Sequence, residues 1–130
     1  MPKFGKRSQR NLSTAHEDLQ RLFNEVIKYF DCSVICGYRN EHDQNEAYHS
    51  GRSKLPFPRG KHNSLPSMAV DVIPYPIDWQ DIKRMYMFVG FVRAVAGFMD
   101  IKIRCGADWD GDTEVRDQNF HDLPHFELIK

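Results

Sequence analysis

The chain has 130 residues, enough for one domain and too few for a second of ordinary size. Hydrophobic residues make up 41% and charged residues 28%, a balance too apolar for a disordered chain. Eighteen Lys and Arg offset eighteen Asp and Glu, and a net charge of zero speaks against a protein built to coat nucleic acid.

Residues 1–12 carry Lys3, Lys6, Arg7 and Arg10 and read as a basic, solvated tail ahead of a single domain. Thr14 and Glu17 form a capping-box pattern, with Leu12 placed as a hydrophobic staple. Ala15, Leu19, Leu22, Phe23, Val26, Ile27 and Phe30 follow at helical spacing and predict a first helix with a core-facing stripe. Residues 33–36 are a short β-rich run stopped by Gly37. Asn40 predicts the cap of a second, polar helix that reaches about Ser50 and ends at Gly51. Residues 51–67 mix glycine and proline with Arg52, Lys54, Arg59 and Lys61 and predict a long loop, a feature that is often functional. Residues 69–73 predict a strand stopped by Pro74 and Pro76. Asp78 and Asp81 suit the start of a third helix running to about Met99, apolar on most sides and expected to be central and buried. Residues 101–105 and 125–129 predict two more strands around a polar stretch. This order predicts an α+β domain with a small, mainly antiparallel sheet and about three helices.

The most apolar stretch, residues 85–99, contains Arg93 and is too short to span a bilayer. The N-terminus has no apolar signal region, so a cytoplasmic location is expected. Cys32, Cys36 and Cys105 cannot form a complete disulfide set and are expected as reduced thiols, with Cys36 and Cys105 as small core residues.

His16, His42 and His49 fall on amphipathic or polar helices and read as surface residues, whereas His62, His121 and His125 flank strands. Zinc takes imidazole nitrogen and carboxylate oxygen, and a catalytic site uses three protein ligands with a further position left open. His62, Asp71 and His125 would supply such a set, and Asp122 stands three residues before His125 as a base for amide hydrolysis. By spacing alone, unrelated polar residues at strand ends remain the alternative. The acidic run at 108–112 invites a calcium-loop reading but lacks the ligand ladder of an EF-hand, and a solvated turn is expected.

Two segments carry a resemblance: Lys61-His62-Asn63-Ser64-Leu65-Pro66-Ser67-Met68-Ala69-Val70-Asp71-Val72 and Asp122-Leu123-Pro124-His125-Phe126-Glu127-Leu128. They resemble the zinc D-alanyl-D-alanine carboxypeptidase and L-alanyl-D-glutamate peptidase family, whose fold is shared with the hedgehog signalling domain. Gly37-Tyr38-Arg39 and Gln44 extend the match upstream, so that it covers about residues 15 to 130. The spacing from His62 to Asp71 is longer than in the commonest form, Ser67 stands where a glycine is usual, and Gly60 where a serine is usual. These departures resemble the phage endolysin-type branch.

The resemblance implies that His62, Asp71 and His125 bind one zinc ion. It implies that Asp122 is the general base that later protonates the leaving amine, and that Arg39 stabilises the oxyanion or holds the substrate carbonyl. Gln44 and Trp109 are implied substrate contacts, with His121 also placed near the cleft. The implied protein is a monomeric zinc peptidase that cuts peptidoglycan stem peptides as an endolysin-like L-alanyl-D-glutamate endopeptidase. It would act on the wall after release from the cell, with the basic loop at 52–61 drawing in carboxylates. The alternatives are a D-alanyl-D-alanine carboxypeptidase and a non-catalytic, zinc-stabilised binding module.

Overall fold

The computed structural model describes residues 2–114 and 122–129. Among these, the elements run α1 (Lys6–Ser13), α2 (Glu17–Val26), β1 (Cys32–Cys36), α3 (Glu41–His49), β2 (Ala69–Pro74), α4 (Ile82–Phe98), β3 (Ile103–Cys105) and β4 (His125–Leu128). The strands form one sheet in the order β1-β2-β4-β3, and every neighbouring pair is antiparallel. The α+β architecture is as expected, with one helix more.

Strand periodicity divides the sheet into two faces. Val70 and Val72 of β2, Phe126 and Leu128 of β4 and Cys105 of β3 belong to the hydrophobic core. Helices α2 and α4 supply the other layer through Leu19, Leu22, Phe23, Val26, Phe88, Val89, Val92 and Ala96. Phe126 is the hinge of this packing, with its ring edge-on to Phe23 at 5.3 Å and to Phe88 at 6.0 Å between centroids. The opposite face of the same strands carries Asp71, His125 and Glu127, and all three are buried.

The basic N-terminal segment is not a solvated tail. It forms α1, which turns Phe4, Ser8 and Leu12 inward. The Val34 amide donates to Ser8 Oγ at 3.0 Å, and Asn11 Nδ2 donates to the Val34 carbonyl at 2.8 Å. Side chains of α1 thus satisfy the outer edge of β1, where a further strand would otherwise pair. The capping box at Thr14 does not form, because Thr14 ends α1 instead. His16 is the N-cap of α2, its Nδ1 accepting from the Asp18 amide at 3.0 Å. His42 and His49 are exposed on α3 as expected.

Helix α4 starts after its cap Asp81 and buries only one side. Met87 and Phe98 are largely exposed, so the helix lies across the sheet and is not enclosed by it. The two C-terminal strands are shorter than expected: β3 begins only at Ile103 and β4 ends at Leu128. The three thiols are free; burial pushes Cys32 and Cys105 up to about 12, which keeps them inert. Cys36 is only half-buried and sits beside His62, its Sγ 3.8 Å from Nδ1. No helix is long and apolar enough to cross a membrane among the described residues.

Candidate active site

The register of β2 against β4 sets Asp71 directly opposite His125, which places their side chains on the same face of the sheet. His62 arrives from the long loop between α3 and β2. The loop is fastened at several points: the Arg39 amide donates to the His62 carbonyl at 2.8 Å, and Met68 N donates to the Lys61 carbonyl at 2.9 Å. Ser67 fits the longer spacing noted in the sequence. Its amide donates to the Thr14 carbonyl, its own carbonyl accepts from His16 N, and its hydroxyl donates to the Ala69 carbonyl. The end of the long loop is therefore tied at Ser67 to the junction of α1 and α2.

His62 Nε2 lies 3.3 Å from Asp71 Oδ1, and His125 Nδ1 lies 3.5 Å from the same oxygen. One donor atom from each residue falls within 4.8 Å of the others, and all three residues are buried. Ligands around a tetrahedral zinc, each bound at about 2.0–2.1 Å, stand roughly 3.3–3.4 Å apart. His62 Nε2 and Asp71 Oδ1 are buried and make no hydrogen bond, although buried polar atoms rarely go unpaired. Two buried polar atoms that make no hydrogen bond, separated as neighbouring ligands of one ion would be, fit a bound divalent cation.

The remaining atoms of these side chains are engaged. His62 Nδ1 pairs with the Gly37 carbonyl at 2.8 Å, which turns Nε2 towards Asp71. Gly37 is pressed against the end of α1, where a Cβ would stand 2.2 Å from the Asn11 carbonyl oxygen. Asp71 Oδ2 accepts from Arg39 at 3.1 Å, leaving Oδ1 for the imidazoles. Burial alone would lower the His62 pKa, but the Asp71 carboxylate outweighs it and holds His62 up to about 10. Burial alone would raise Asp71, yet the two imidazoles hold it well below the usual carboxylate range.

Asp122 stands beside this group, with Oδ2 3.8 Å from His125 Nδ1. Gly106 makes that position possible, because a Cβ there would meet the Asp122 carbonyl oxygen at 2.0 Å. Burial, helped by the Asp71 carboxylate, pushes Asp122 up to about 6, close to where a general base works best at neutral pH.

Of the other expected site residues, Arg39 is at the centre, shared between Asp71 and Gln44 Oε1. Gln44 lines the basic side of the cleft, and its amide is engaged by the protein. It is buried, and its amide donates to Ser53 Oγ and the Leu55 carbonyl while accepting from Arg39 and Asn63. Its place is to latch the long loop and Arg39 to α3. Trp109 lies over His125, ring centroids 5.2 Å apart, at the rim of the cleft. His121 lies outside the described residues. In the acidic stretch, Asp108 is buried and accepts from Arg93 and from Thr113 N, so this turn is solvated only in part. Glu127 went unassigned in the sequence, although alternation from His125 places it on the site face; its Oε1 lies 2.7 Å from His125 Nε2.

Two cavities open from the site and share Arg39 and Asp122. One, of about 470 Å³, has apolar walls that include Trp79, Met85 and Leu123. The other, of about 310 Å³, includes Lys54, Arg59, Lys61 and Arg104.

Comparison with known proteins gives a consistent result. The family model for phage L-alanyl-D-glutamate peptidase matches residues 1–129. The L-alanyl-D-glutamate peptidase of Escherichia phage T5 is 27% identical over 135 residues, which covers 98% of each chain. The crystal structure of the Serratia marcescens L-Ala D-Glu endopeptidase ChiX superposes with a TM-score of 0.75 at 28% identity, covering 98% of this chain and 90% of that one.

Proposed function

This chain belongs to the phage L-alanyl-D-glutamate peptidase family, and from that premise we propose that it is a zinc-dependent endopeptidase cutting the L-alanyl-D-glutamate bond of peptidoglycan stem peptides. The observation that carries the metal reading is the pair of buried, unpartnered donor atoms, His62 Nε2 and Asp71 Oδ1, with His125 Nδ1 beside them. These three residues would hold the ion. When bound, it supplies Lewis-acid polarisation of the scissile carbonyl and eases deprotonation of the attacking water.

The chain's own residues do the rest. The Asp122 carboxylate accepts the proton of the attacking water and returns it to the departing amine nitrogen, which must leave protonated. Arg39 is a fixed, permanently charged donor held between Asp71 and Gln44, and it stabilises negative charge as it builds on the carbonyl oxygen. Two cavities meeting at Arg39 and Asp122 favour an endopeptidase over a carboxypeptidase, since a carboxypeptidase needs its site closed just beyond the scissile bond. The groove with Lys54, Arg59 and Lys61 suits the carboxylates of the stem peptide. The enzyme acts on the wall after release from the cell, as a monomer.

Digestion of purified muropeptides followed by mass spectrometry tests this. Cleavage between L-alanine and D-glutamate that stops with chelator and returns with zinc is expected. Release of free D-alanine alone would make it a carboxypeptidase, and cleavage indifferent to chelator would remove the metal.

A further inference from the structure

The two imidazoles of the site present opposite nitrogens to its centre, Nε2 from His62 and Nδ1 from His125. A ligating histidine is oriented by whatever holds its other nitrogen. For His62 that partner is a backbone carbonyl, fixed by the fold. For His125 it is a side chain, Glu127, which is itself buried. Glu127 does not stand alone: its Oε2 accepts from Arg104 Nη2 at 2.8 Å and Nε at 3.2 Å. Antiparallel register puts Arg104 of β3 directly across from Glu127 of β4, while Ala69 of β2 faces it from the other side. Arg104 keeps about half of its side chain exposed and also lines the basic groove.

We propose that Glu127, held in place by Arg104, is a positioning residue that fixes the His125 ring with Nδ1 facing the bound cation. This rests on the metal-centre reading above. One carboxylate oxygen accepts a hydrogen bond from Nε2–H, the other is gripped by a two-pronged guanidinium, and the ring can neither flip nor swing. The charge on Glu127 also makes Nδ1 a better donor to a cation. An ordinary cross-strand ion pair would stabilise the sheet but leave metal binding unchanged.

The decisive measurement is zinc affinity of the full chain, read by competition with a chromophoric chelator. Glu127→Ala is expected to weaken binding about 10–100-fold, the usual range for such partners. Glu127→Gln, whose amide oxygen still accepts the Nε2 proton, recovers much of that loss. Arg104→Ala weakens binding by a smaller factor, and because Arg104 is half exposed it serves if Glu127→Ala fails to fold. Ring-nitrogen NMR of the zinc-loaded protein gives a second readout: coordination through His125 Nδ1 in the wild type, and a mixture or exchange in Arg104→Ala. Wild-type affinity and wild-type ring signals in Arg104→Ala, or wild-type affinity in a folded Glu127→Ala, overturn the proposal. A wild-type chain that binds no zinc overturns the metal centre itself, and this inference falls with it; that result is distinct from unchanged affinity in the variants.

Discussion

Strands β2 and β4 bury both of their faces, and the two faces are built on opposite rules. On one, Val70, Val72, Phe126 and Leu128 meet α2 and α4 with nothing polar to satisfy. On the other, Asp71, His125 and Glu127 are buried among charges, and Asp71 Oδ1 and the facing His62 Nε2 make no hydrogen bond. Unpaired buried polar atoms work against folding, and buried ion pairs are weak contributors to stability. The apolar face therefore holds the chain together, and the polar face is carried by it. A residue's depth in this protein does not reveal what it does; its neighbours do.

Substitutions on the two faces should separate along that line. The largest effect is expected at Asp122→Asn, which removes the proton acceptor while keeping shape. Turnover of a stem peptide should fall about 10²–10⁴-fold, with zinc affinity and the melting temperature little changed. A comparable loss of melting temperature would erase the distinction between the faces. Phe126→Ala, one residue from His125 but pointing into the core, should lower unfolding stability by about 3–5 kcal/mol in denaturant melts. The folded fraction that remains should keep its activity per molecule.

The smallest of the three effects depends on pH. His62 is raised from 6.5 to about 10 in the metal-free fold, so its protonated form adds stability that is complete below about 6.5 and is lost as pH rises towards 10. Asp71 is depressed, so its contribution is present above 3.8 and is lost only as pH falls below that. Zinc must displace the imidazole protons, so its binding strengthens in the direction in which the metal-free fold weakens. At a free zinc concentration about 100 times the dissociation constant the gain is about 2.7 kcal/mol. The zinc-induced rise in melting temperature should therefore grow from pH 6 to pH 9, and a flat profile would mean that the ion does not sit on these imidazoles.

Much of this was legible in the order of residues. The stripe from Leu19 to Val26 and the run at β2 announce a core helix and a buried strand because each obeys a local period, whereas the grouping of His62, Asp71 and His125 was expected through the family resemblance and not from spacing alone. Helix α1 escaped because its segment shows mostly charge; its helix is held by Ser8 and Asn11 bonding to β1, contacts far along the chain. Thr14 misled for the same reason, since its capping pattern is real but its hydroxyl accepts from the distant Tyr38 amide instead. Gln44 was expected as a substrate contact from the resemblance alone, and the returning loop adds what sequence does not show, that both ends of its amide are bonded within the protein. Glu127 was hidden by a neighbourhood of apolar residues, where one acidic side chain suggests the solvent side of a strand.

The Ser8 and Asn11 bonds to Val34 reach beyond the fold of one molecule. They close the long border of the sheet to recruits, since a strand from another copy arriving at β1 would find its central donor and acceptor already occupied. The opposite border, β3, is only three residues long. Among the described residues, crowded copies of this enzyme therefore find little open backbone at this border on which to template stacking, because the first short helix already occupies it.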